Sequence, residues 1–157
     1  MCNCHYVANC PSLLPRCIYS CYFLVWLLDQ WESGINLHAD EAAVNVNIWL
    51  SMEGADLQES DAGGGLVVYT TKPKASWDFK SYNTNTEFVR KELLEPSNFA
   101  NITVKHQTNR CVIFDSALFH QTDKYRFKKG YENGRINLTL LFGEMRKETL
   151  STGTDEL

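Results

Sequence analysis

Three side chains that can bind a metal ion stand at a suggestive spacing: His38, Asp40 and, far downstream, His120. Residues two apart on extended chain project to the same side, so His38 and Asp40 share one face. A fold that returns His120 to that face would complete a set of two imidazoles and one carboxylate. Such a set binds one side of a six-coordinate ferrous ion and leaves three adjacent positions open for chemistry. We therefore predict a catalytic iron site formed by His38, Asp40 and His120.

A second polar face lies near the end of the chain, where Arg135, Asn137 and Thr139 alternate with apolar residues. This alternation predicts a strand over 135–142 with the three polar side chains on one side. That side would be costly in an apolar core, but it suits a cavity that holds an anion. A guanidinium offers a planar fork for a carboxylate, so we predict Arg135 as an anion anchor.

The elements that must position these residues are mostly short strands. Alternating or β-branched runs, separated by turns rich in glycine and other small polar residues, are typical of a sandwich or a jelly-roll barrel. Pro96 would end one helix predicted over 85–94, and loops are predicted over 53–65 and 123–134. Strands are predicted at 44–50, 66–69, 102–104, 110–114, 118–120 and 135–142.

Length and charge limit the classes of function. The chain of 157 residues suits one domain with one core, and its formal net charge of -4 comes with scattered basic residues. No basic stripe indicates a nucleic-acid partner. We divide the chain into an atypical segment 1–30, a domain 31–145 and a polar tail 146–157.

The N-terminal segment is unusual because it is rich in cysteine and contains an apolar run at 17–28. A secreted disulfide scaffold would spread its cysteines through the fold, so we expect a reduced, cytoplasmic domain. Cys4 and His5, with Cys2, lack the paired spacing of a structural zinc site. The apolar run is too short for a relaxed membrane span and is interpreted as a buried strand or helix, with a signal or anchor segment as the alternative. The cysteines are Cys2, Cys4, Cys10, Cys17, Cys21 and Cys111.

The ordered set of His38, Asp40, His120 and a strand-borne Arg135 resembles the Fe(II)- and 2-oxoglutarate-dependent dioxygenases. A His-x-Asp pair alone is weak evidence, whereas the ordered set is more specific. Several stretches resemble an uncharacterised bacterial-type branch of this superfamily, and the resemblance covers about residues 34–143. These stretches are GINLHAD at 34–40, NVNIW at 45–49, GGLVVY at 64–69, VIFDS at 112–116 and RINLT at 135–139.

The resemblance implies a double-stranded β-helix, the cupin-like jelly roll, with one or two flanking helices. It implies Fe(II) bound by the two histidines and Asp40, 2-oxoglutarate as cosubstrate with Arg135 on its distal carboxylate, and O₂. The reaction implied is a hydroxylase-type oxidation of an unknown small-molecule or protein substrate, with release of succinate. Candidates for the surroundings of the cosubstrate, without individual roles, are Asn45, Asn47, Tyr69, Asn137 and Thr139.

Two departures from the family keep alternatives open. Asn137 stands where many relatives carry Ser, and family members usually place helices and a first core strand before the metal pair. Here only the run 22–28 can serve as that strand; otherwise the barrel is incomplete and the chain is truncated or its start mispredicted. The alternatives are a non-catalytic jelly-roll module and a cupin-like metalloenzyme that does not use 2-oxoglutarate. His5 and His106 have no partners at a suggestive spacing and are predicted to be ordinary histidines.

Overall fold

The computed structural model of the protein describes residues 3–7, 20–27, 34–57 and 63–143, and of the first two ranges only the backbone. Within these ranges the protein is mainly β, with eight strands in two sheets and few helical residues. The prediction of a β-rich fold is confirmed. The strands are β1 Asn3–Val7, β2 Ser20–Leu27, β3 Val44–Trp49, β4 Leu66–Tyr69, β5 Asn101–Val104, β6 Arg110–Asp115, β7 His120–Thr122 and β8 Arg135–Phe142.

The chain passes repeatedly from one sheet to the other. The larger sheet has the order β1-β6-β3-β8-β2, in which β1 is parallel to β6 and the other neighbours are antiparallel. The smaller, antiparallel sheet has the order β5-β4-β7. An isolated antiparallel bridge between His38 and His120 adds one residue pair beside β7. From β3 onward the path therefore alternates between the sheets, apart from the step from β4 to β5.

The core has two main parts because β4 presents alternate residues to opposite sides. Leu66 and Val68 belong to a cluster that takes side chains from both sheets, whereas Val67 and Tyr69 belong to a cluster on the outer side of the smaller sheet. The first cluster contains Trp49, Leu66, Val68, Val104, Val112, Phe114 and Leu118. The second contains Leu37, Ala39, Val67, Tyr69, Tyr82, Val89, Leu94 and Phe119.

Two short helices cover that outer side. Helix α1 spans Phe79–Thr84, and α2 spans Thr86–Val89 and continues as a π-helical turn over Arg90–Leu94. The side chain of Asp78 accepts a hydrogen bond from the Ser81 amide, and that of Asn85 accepts one from the Phe88 amide. The helix predicted over 85–94 is therefore present, but α1 was not predicted. Asn85 separates the two helices because its backbone dihedral angles are not helical, while its side chain caps the N-terminus of α2.

The strand predicted at 118–120 begins only at His120, because the preceding residues form a turn after β6. The carboxylate of Asp115 accepts a hydrogen bond from the Ala117 amide, and its carbonyl accepts one from the Leu118 amide. This turn sends Leu118 into the cluster between the sheets and Phe119 into the outer cluster. The neighbouring apolar residues Leu118 and Phe119 therefore pack on opposite sides of the smaller sheet.

Much of the apolar N-terminal run forms a strand of the larger sheet. Strand β2 pairs with β8 from Ser20 opposite Phe142 to Leu27 opposite Arg135. Among the described residues, no helix has both the length and the apolar character that a membrane crossing requires. The boundaries at residues 30 and 146 remain predictions. Cys2, Cys10, Cys17 and the side chains of Cys4, His5 and Cys21 lie outside the described part of the structure.

Candidate metal centre

His38, Asp40 and His120 meet at one point and could hold a metal ion. One ligand atom from each residue lies within 4.8 Å of the other two. The Nε2 atom of His38 is 3.9 Å from Asp40 Oδ1, and Nε2 of His120 is 3.5 Å from Asp40 Oδ2. The two imidazole rings are adjacent, with centroids 4.2 Å apart. The structure therefore brings the three predicted ligands together.

The other ring nitrogen of each histidine is held by the backbone. Nδ1 of His38 lies 2.7 Å from the Asn36 carbonyl, and Nδ1 of His120 lies 2.9 Å from the Leu118 carbonyl. A carbonyl oxygen only accepts, so these contacts assign the proton to Nδ1 in each neutral ring. Nε2 then carries the lone pair on the side that faces Asp40. Two nitrogen lone pairs and a carboxylate thus converge, which is the arrangement that a cation satisfies.

Backbone hydrogen bonds hold the two histidines side by side. His38 donates its amide to the His120 carbonyl at 3.0 Å, and His120 donates back at 2.8 Å. The Asp40 amide donates to the Ser116 carbonyl at 3.0 Å. Ala39 is the residue between His38 and Asp40 in the sequence. Its amide donates to the Asn83 side chain and its carbonyl accepts from it, each at 2.9 Å. The ligand segment is therefore attached to β7, to the turn after β6 and to α1.

The electrostatics favour the protonation states that metal ligands require. Burial, and then the charge of His120, lower the pKa of His38, so that His38 is neutral near pH 7. Burial alone would raise the pKa of Asp40, but its interactions with His120 and His38 and the hydrogen bond from the Asn45 amide together lower it. A neutral imidazole and an ionised carboxylate bind a metal without first losing a proton.

The candidate metal ligands open onto a cavity of about 270 Å³ between the two sheets. Its wall combines the ligands, a row of amide and hydroxyl side chains, one guanidinium and several apolar groups. The lining residues are Ile35, His38, Asp40, Asn45, Asn47, Leu66, His120, Thr122, Arg135, Asn137, Thr139 and Leu141. Two predicted groups, the metal ligands and the polar face of β8, thus share one cavity.

Arg135 is the buried cation of this cavity, with only 2% of its surface exposed. Its Nε donates to the Gly64 carbonyl at 3.0 Å and its Nη2 to the Gly65 carbonyl at 3.3 Å. The guanidinium lies 5.7 Å from the centre of the Tyr125 ring. Burial lowers the pKa of Arg135 to about 10, although Tyr125 and Asp56 oppose the shift. Arg135 therefore remains positively charged at neutral pH.

Three asparagines form a hydrogen-bonded chain along the wall. Asn45 Nδ2 donates to Asp40 Oδ2 at 2.7 Å, and Asn47 Nδ2 donates to Asn45 Oδ1 at 2.6 Å. Asn137 Nδ2 donates to Asn47 Oδ1 at 2.6 Å, and the Thr139 hydroxyl donates to the same oxygen at 2.9 Å. The polar wall is thus connected to the candidate metal ligand Asp40.

Tyr69, one of the residues proposed around a cosubstrate, is not part of the cavity wall. It lies in the outer cluster, where Tyr82 and Phe119 also pack. The alternation of β4 explains this position, since Leu66 points to the cavity and Tyr69 is an odd number of residues away. Arg135, Asn137, Thr139 and Asn47, by contrast, all line the cavity.

His106, predicted to be an ordinary histidine, is a buried residue with an acidic neighbour that the sequence spacing did not indicate. Its Nδ1 lies 3.5 Å from Asp56 Oδ2, and both side chains are almost fully buried. The imidazole packs between Trp49 and Phe127, with ring centroids 5.2 and 5.1 Å away. Only the fold joins these two residues, so no local pattern could identify the pair. No sequence motif indicated the contact of the Asn83 side chain with the backbone of Ala39 either.

No family model and no curated protein match the sequence. Among solved structures, one similar chain is a novel N-substituted L-amino acid dioxygenase from Burkholderia ambifaria AMMD, with 14% identity and a TM-score of 0.44. The alignment covers 80% of this chain and 53% of that chain, so the protein spans about half the length of this neighbour. The functional interpretation depends on the geometry of the cavity.

Proposed function

We propose that the protein is an Fe(II)- and 2-oxoglutarate-dependent dioxygenase that oxidises a small-molecule or protein substrate. One observation carries the proposal: a single cavity joins three convergent metal ligands to a buried cationic guanidinium. A metal site alone is compatible with many reactions. The added guanidinium selects reactions in which a metal-bound ligand also carries a remote anionic group.

The donor set fits ferrous iron. Imidazole suits iron, and a carboxylate oxygen completes the two-histidine, one-carboxylate set of non-haem iron oxygenases. The Nδ1 contacts to backbone carbonyls leave both Nε2 atoms as ligands. When bound, iron together with 2-oxoglutarate and O₂ would supply oxidative decarboxylation to succinate and CO₂ with oxidation of a substrate. His38, Asp40 and His120 would hold the ion and leave one side of it open.

The guanidinium of Arg135 suits the second carboxylate of 2-oxoglutarate. The two bonds of Arg135 to the Gly64 and Gly65 carbonyls use two of the five N–H groups of a guanidinium. Further N–H groups can form charge-assisted bonds to a carboxylate, and burial strengthens them. Asn137 and Thr139, on the same face of β8 as Arg135, line the same cavity.

The strand order supports a double-stranded β-helix as the fold. In a jelly roll the chain alternates between two facing sheets, and late strands insert between early ones. Here β8 lies between β3 and β2, and β7 lies between β4 and the segment at His38. We propose that 31–145 is the oxygenase domain, to which the earlier strand β2 contributes an edge of the larger sheet.

The first test is binding of Fe(II) and 2-oxoglutarate without oxygen, followed by oxygen-dependent release of succinate. We expect saturable binding of both by the wild type and slow succinate release even without a prime substrate. His120→Ala should lose metal binding and turnover. Gln121→Ala is the matched control, because Gln121 is the next residue of β7 and contacts Arg90 rather than lining the cavity. A folded wild type that binds no Fe(II) would contradict the proposal.

The same measurements separate the two alternatives. A non-catalytic module would neither bind Fe(II) nor consume 2-oxoglutarate. A cupin-like metalloenzyme that does not use 2-oxoglutarate would bind the metal but would be insensitive to Arg135→Ala. Loss of 2-oxoglutarate binding in Arg135→Ala, with metal binding retained, excludes that second alternative.

A further inference from the structure

We propose that Asn45 positions the carboxylate of Asp40 for metal binding, and that Asn47 and Asn137 hold Asn45 in place through a directed chain of amides. This inference rests on the metal centre of the proposed function but not on 2-oxoglutarate or oxygen. Asn45 is a positioning residue in this proposal, since its side-chain amide contacts a ligand of the metal.

The chain is short, continuous and buried. Successive donor–acceptor distances from Asp40 outward are 2.7, 2.6 and 2.6 Å. The exposed fraction is 0% for Asn45 and 4% for both Asn47 and Asn137. Buried, connected hydrogen bonds are strong because few water molecules compete for their donors and acceptors.

The direction of the chain follows from its first member. An ionised carboxylate only accepts, so Asn45 must present its Nδ2 to Asp40. Its Oδ1 then faces Asn47, which must also present Nδ2, and the same logic applies to Asn137. The charge of Asp40 therefore orients three amides on two neighbouring strands, β3 and β8. Conversely, the amides restrict the rotation of the Asp40 carboxylate.

This restriction matters because the two oxygens of Asp40 face different histidines. Asn45 engages Oδ2, which is the oxygen nearer to His120, while Oδ1 is nearer to His38. A carboxylate that rotates freely would lose this arrangement. Hydrogen bonds to a ligating carboxylate fix its orientation, and their removal commonly costs about 10–100-fold in metal affinity.

The experiment measures binding of Co(II) alone, by titration and by the visible absorption of the bound ion, to the full chain. We expect Asn45→Ala to bind Co(II) about 10–100-fold more weakly and to change the absorption bands. Asn47→Ala, which touches no ligand, should show a smaller loss in the same direction. Because Asn47 acts through Asn45, the double variant should bind no more weakly than Asn45→Ala.

Ser51→Ala is the matched control. Ser51 is fully buried and accepts a hydrogen bond from the Ile136 amide, so it links the end of β3 to β8 but lies outside the cavity wall. This variant should keep the wild-type affinity and spectrum. Thermal unfolding of each variant reports whether it is folded. If Asn45→Ala does not fold, Asn47→Ala decides, and an unchanged affinity there overturns the proposal.

The outcomes distinguish this inference from the proposed function. Wild type that binds no Co(II) overturns both. Wild-type binding with an unchanged affinity and spectrum in folded Asn45→Ala overturns the inference alone. Weakened binding in the asparagine variants, in a protein that releases no succinate from 2-oxoglutarate, supports the inference and contradicts the proposed function.

Discussion

Arg135 places a positive charge where almost no solvent reaches it, so its partners decide what can bind beside it. Two carbonyl oxygens accept hydrogen bonds from its guanidinium, the Tyr125 ring lies 5.7 Å away, and the charge of Asp56 also favours its cationic form. Carbonyl dipoles compensate the charge only partly. Under the proposed function, the distal carboxylate of 2-oxoglutarate would complete the compensation.

Arg135→Met removes this charge and keeps much of the side-chain volume. We expect binding of 2-oxoglutarate to weaken by about 2–5 kcal/mol, the usual effect of deleting one partner of a buried charge pair. Co(II) affinity should be unchanged, because Arg135 touches no candidate metal ligand in the described contacts. Isothermal titration measures both affinities.

Arg110→Met is the control for this variant. Its guanidinium bonds the Lys105 carbonyl and lies outside the cavity wall, so 2-oxoglutarate affinity should remain that of the wild type. Equal weakening in the two variants would mean that Arg135 is not the anion anchor.

The lowered pKa of Arg135 predicts a pH dependence of anion binding. Affinity for 2-oxoglutarate should be constant up to about pH 9 and fall above pH 10, because the free protein then loses the guanidinium charge. As the pH rises above 10, the unfolded chain binds more protons at this group than the folded protein does, so the contribution of Arg135 to the free energy of unfolding rises with pH. Loss of affinity in this range is therefore not caused by destabilisation at Arg135. Constant affinity up to pH 11 would contradict the prediction.

At the scale of elements, the loop before β4 supplies the carbonyl oxygens that hold Arg135. The described residues 53–57 and 63–65 are joined to residues 123–128 by a bridge between Asp56 and Phe127 and by the bond from the Gly64 amide to the Lys124 carbonyl. The Gly65 carbonyl accepts from Asp123 as well as from Arg135. The position of the anion anchor therefore depends on how these two loops pack.

Gly65→Ala tests this dependence. A Cβ at Gly65 would lie 1.9 Å from the Val104 carbonyl oxygen, so β4 and β5 must separate at this point. We expect the free energy of unfolding to fall by about 3 kcal/mol and 2-oxoglutarate affinity to fall with it, because the shift moves the carbonyl that binds Arg135. Urea unfolding measures the first quantity and titration the second.

Gly54→Ala is the control at the other end of the same loop. Gly54 has a φ of +69° but no heavy atom within 4 Å of an added Cβ, so the substitution strains the backbone without causing a steric clash. It should cost about 1 kcal/mol and leave 2-oxoglutarate affinity unchanged. A larger loss of stability in Gly54→Ala than in Gly65→Ala would refute the packing argument.

At the scale of the whole molecule, the candidate metal ligands connect parts of the chain that only the fold brings together. His38 and Asp40 come from the segment before β3, and His120 begins β7. A bound metal would therefore stabilise the folded state, since the unfolded chain lacks the preformed site. The free energy of unfolding should rise by about 2.7 kcal/mol when Co(II) is present at 100 times its dissociation constant.

Thermal unfolding with and without Co(II) checks this expectation. The unfolding midpoint should rise by roughly 5–10 °C for a chain of this size, and a chelator should reverse the rise. His120→Ala should show no such shift. A shift of equal size in His120→Ala would place the metal elsewhere in the molecule.

Local patterns in the sequence were sufficient to predict which polar side chains share one face of a strand and that the fold is rich in β-structure. The spacing of His38 and Asp40 and the alternation of β8 each place polar side chains on one face, because side chains of extended chain alternate by geometry. Both groups line the cavity in the structure. The same alternation also divides the residues of β4 between its two sides. It does not say which side faces the cavity, so the position of Tyr69 in the outer cluster was not predicted.

The tertiary structure alone decided the contacts that join distant parts of the chain. It brought His106 next to Asp56. It also brought the Asn83 side chain to the backbone of Ala39 and the asparagine chain to the carboxylate of Asp40. It also made the apolar N-terminal run an edge strand beside β8. The physical reason is that such contacts depend on which strands become neighbours and on burial, and both are properties of the whole chain rather than of any short window of it.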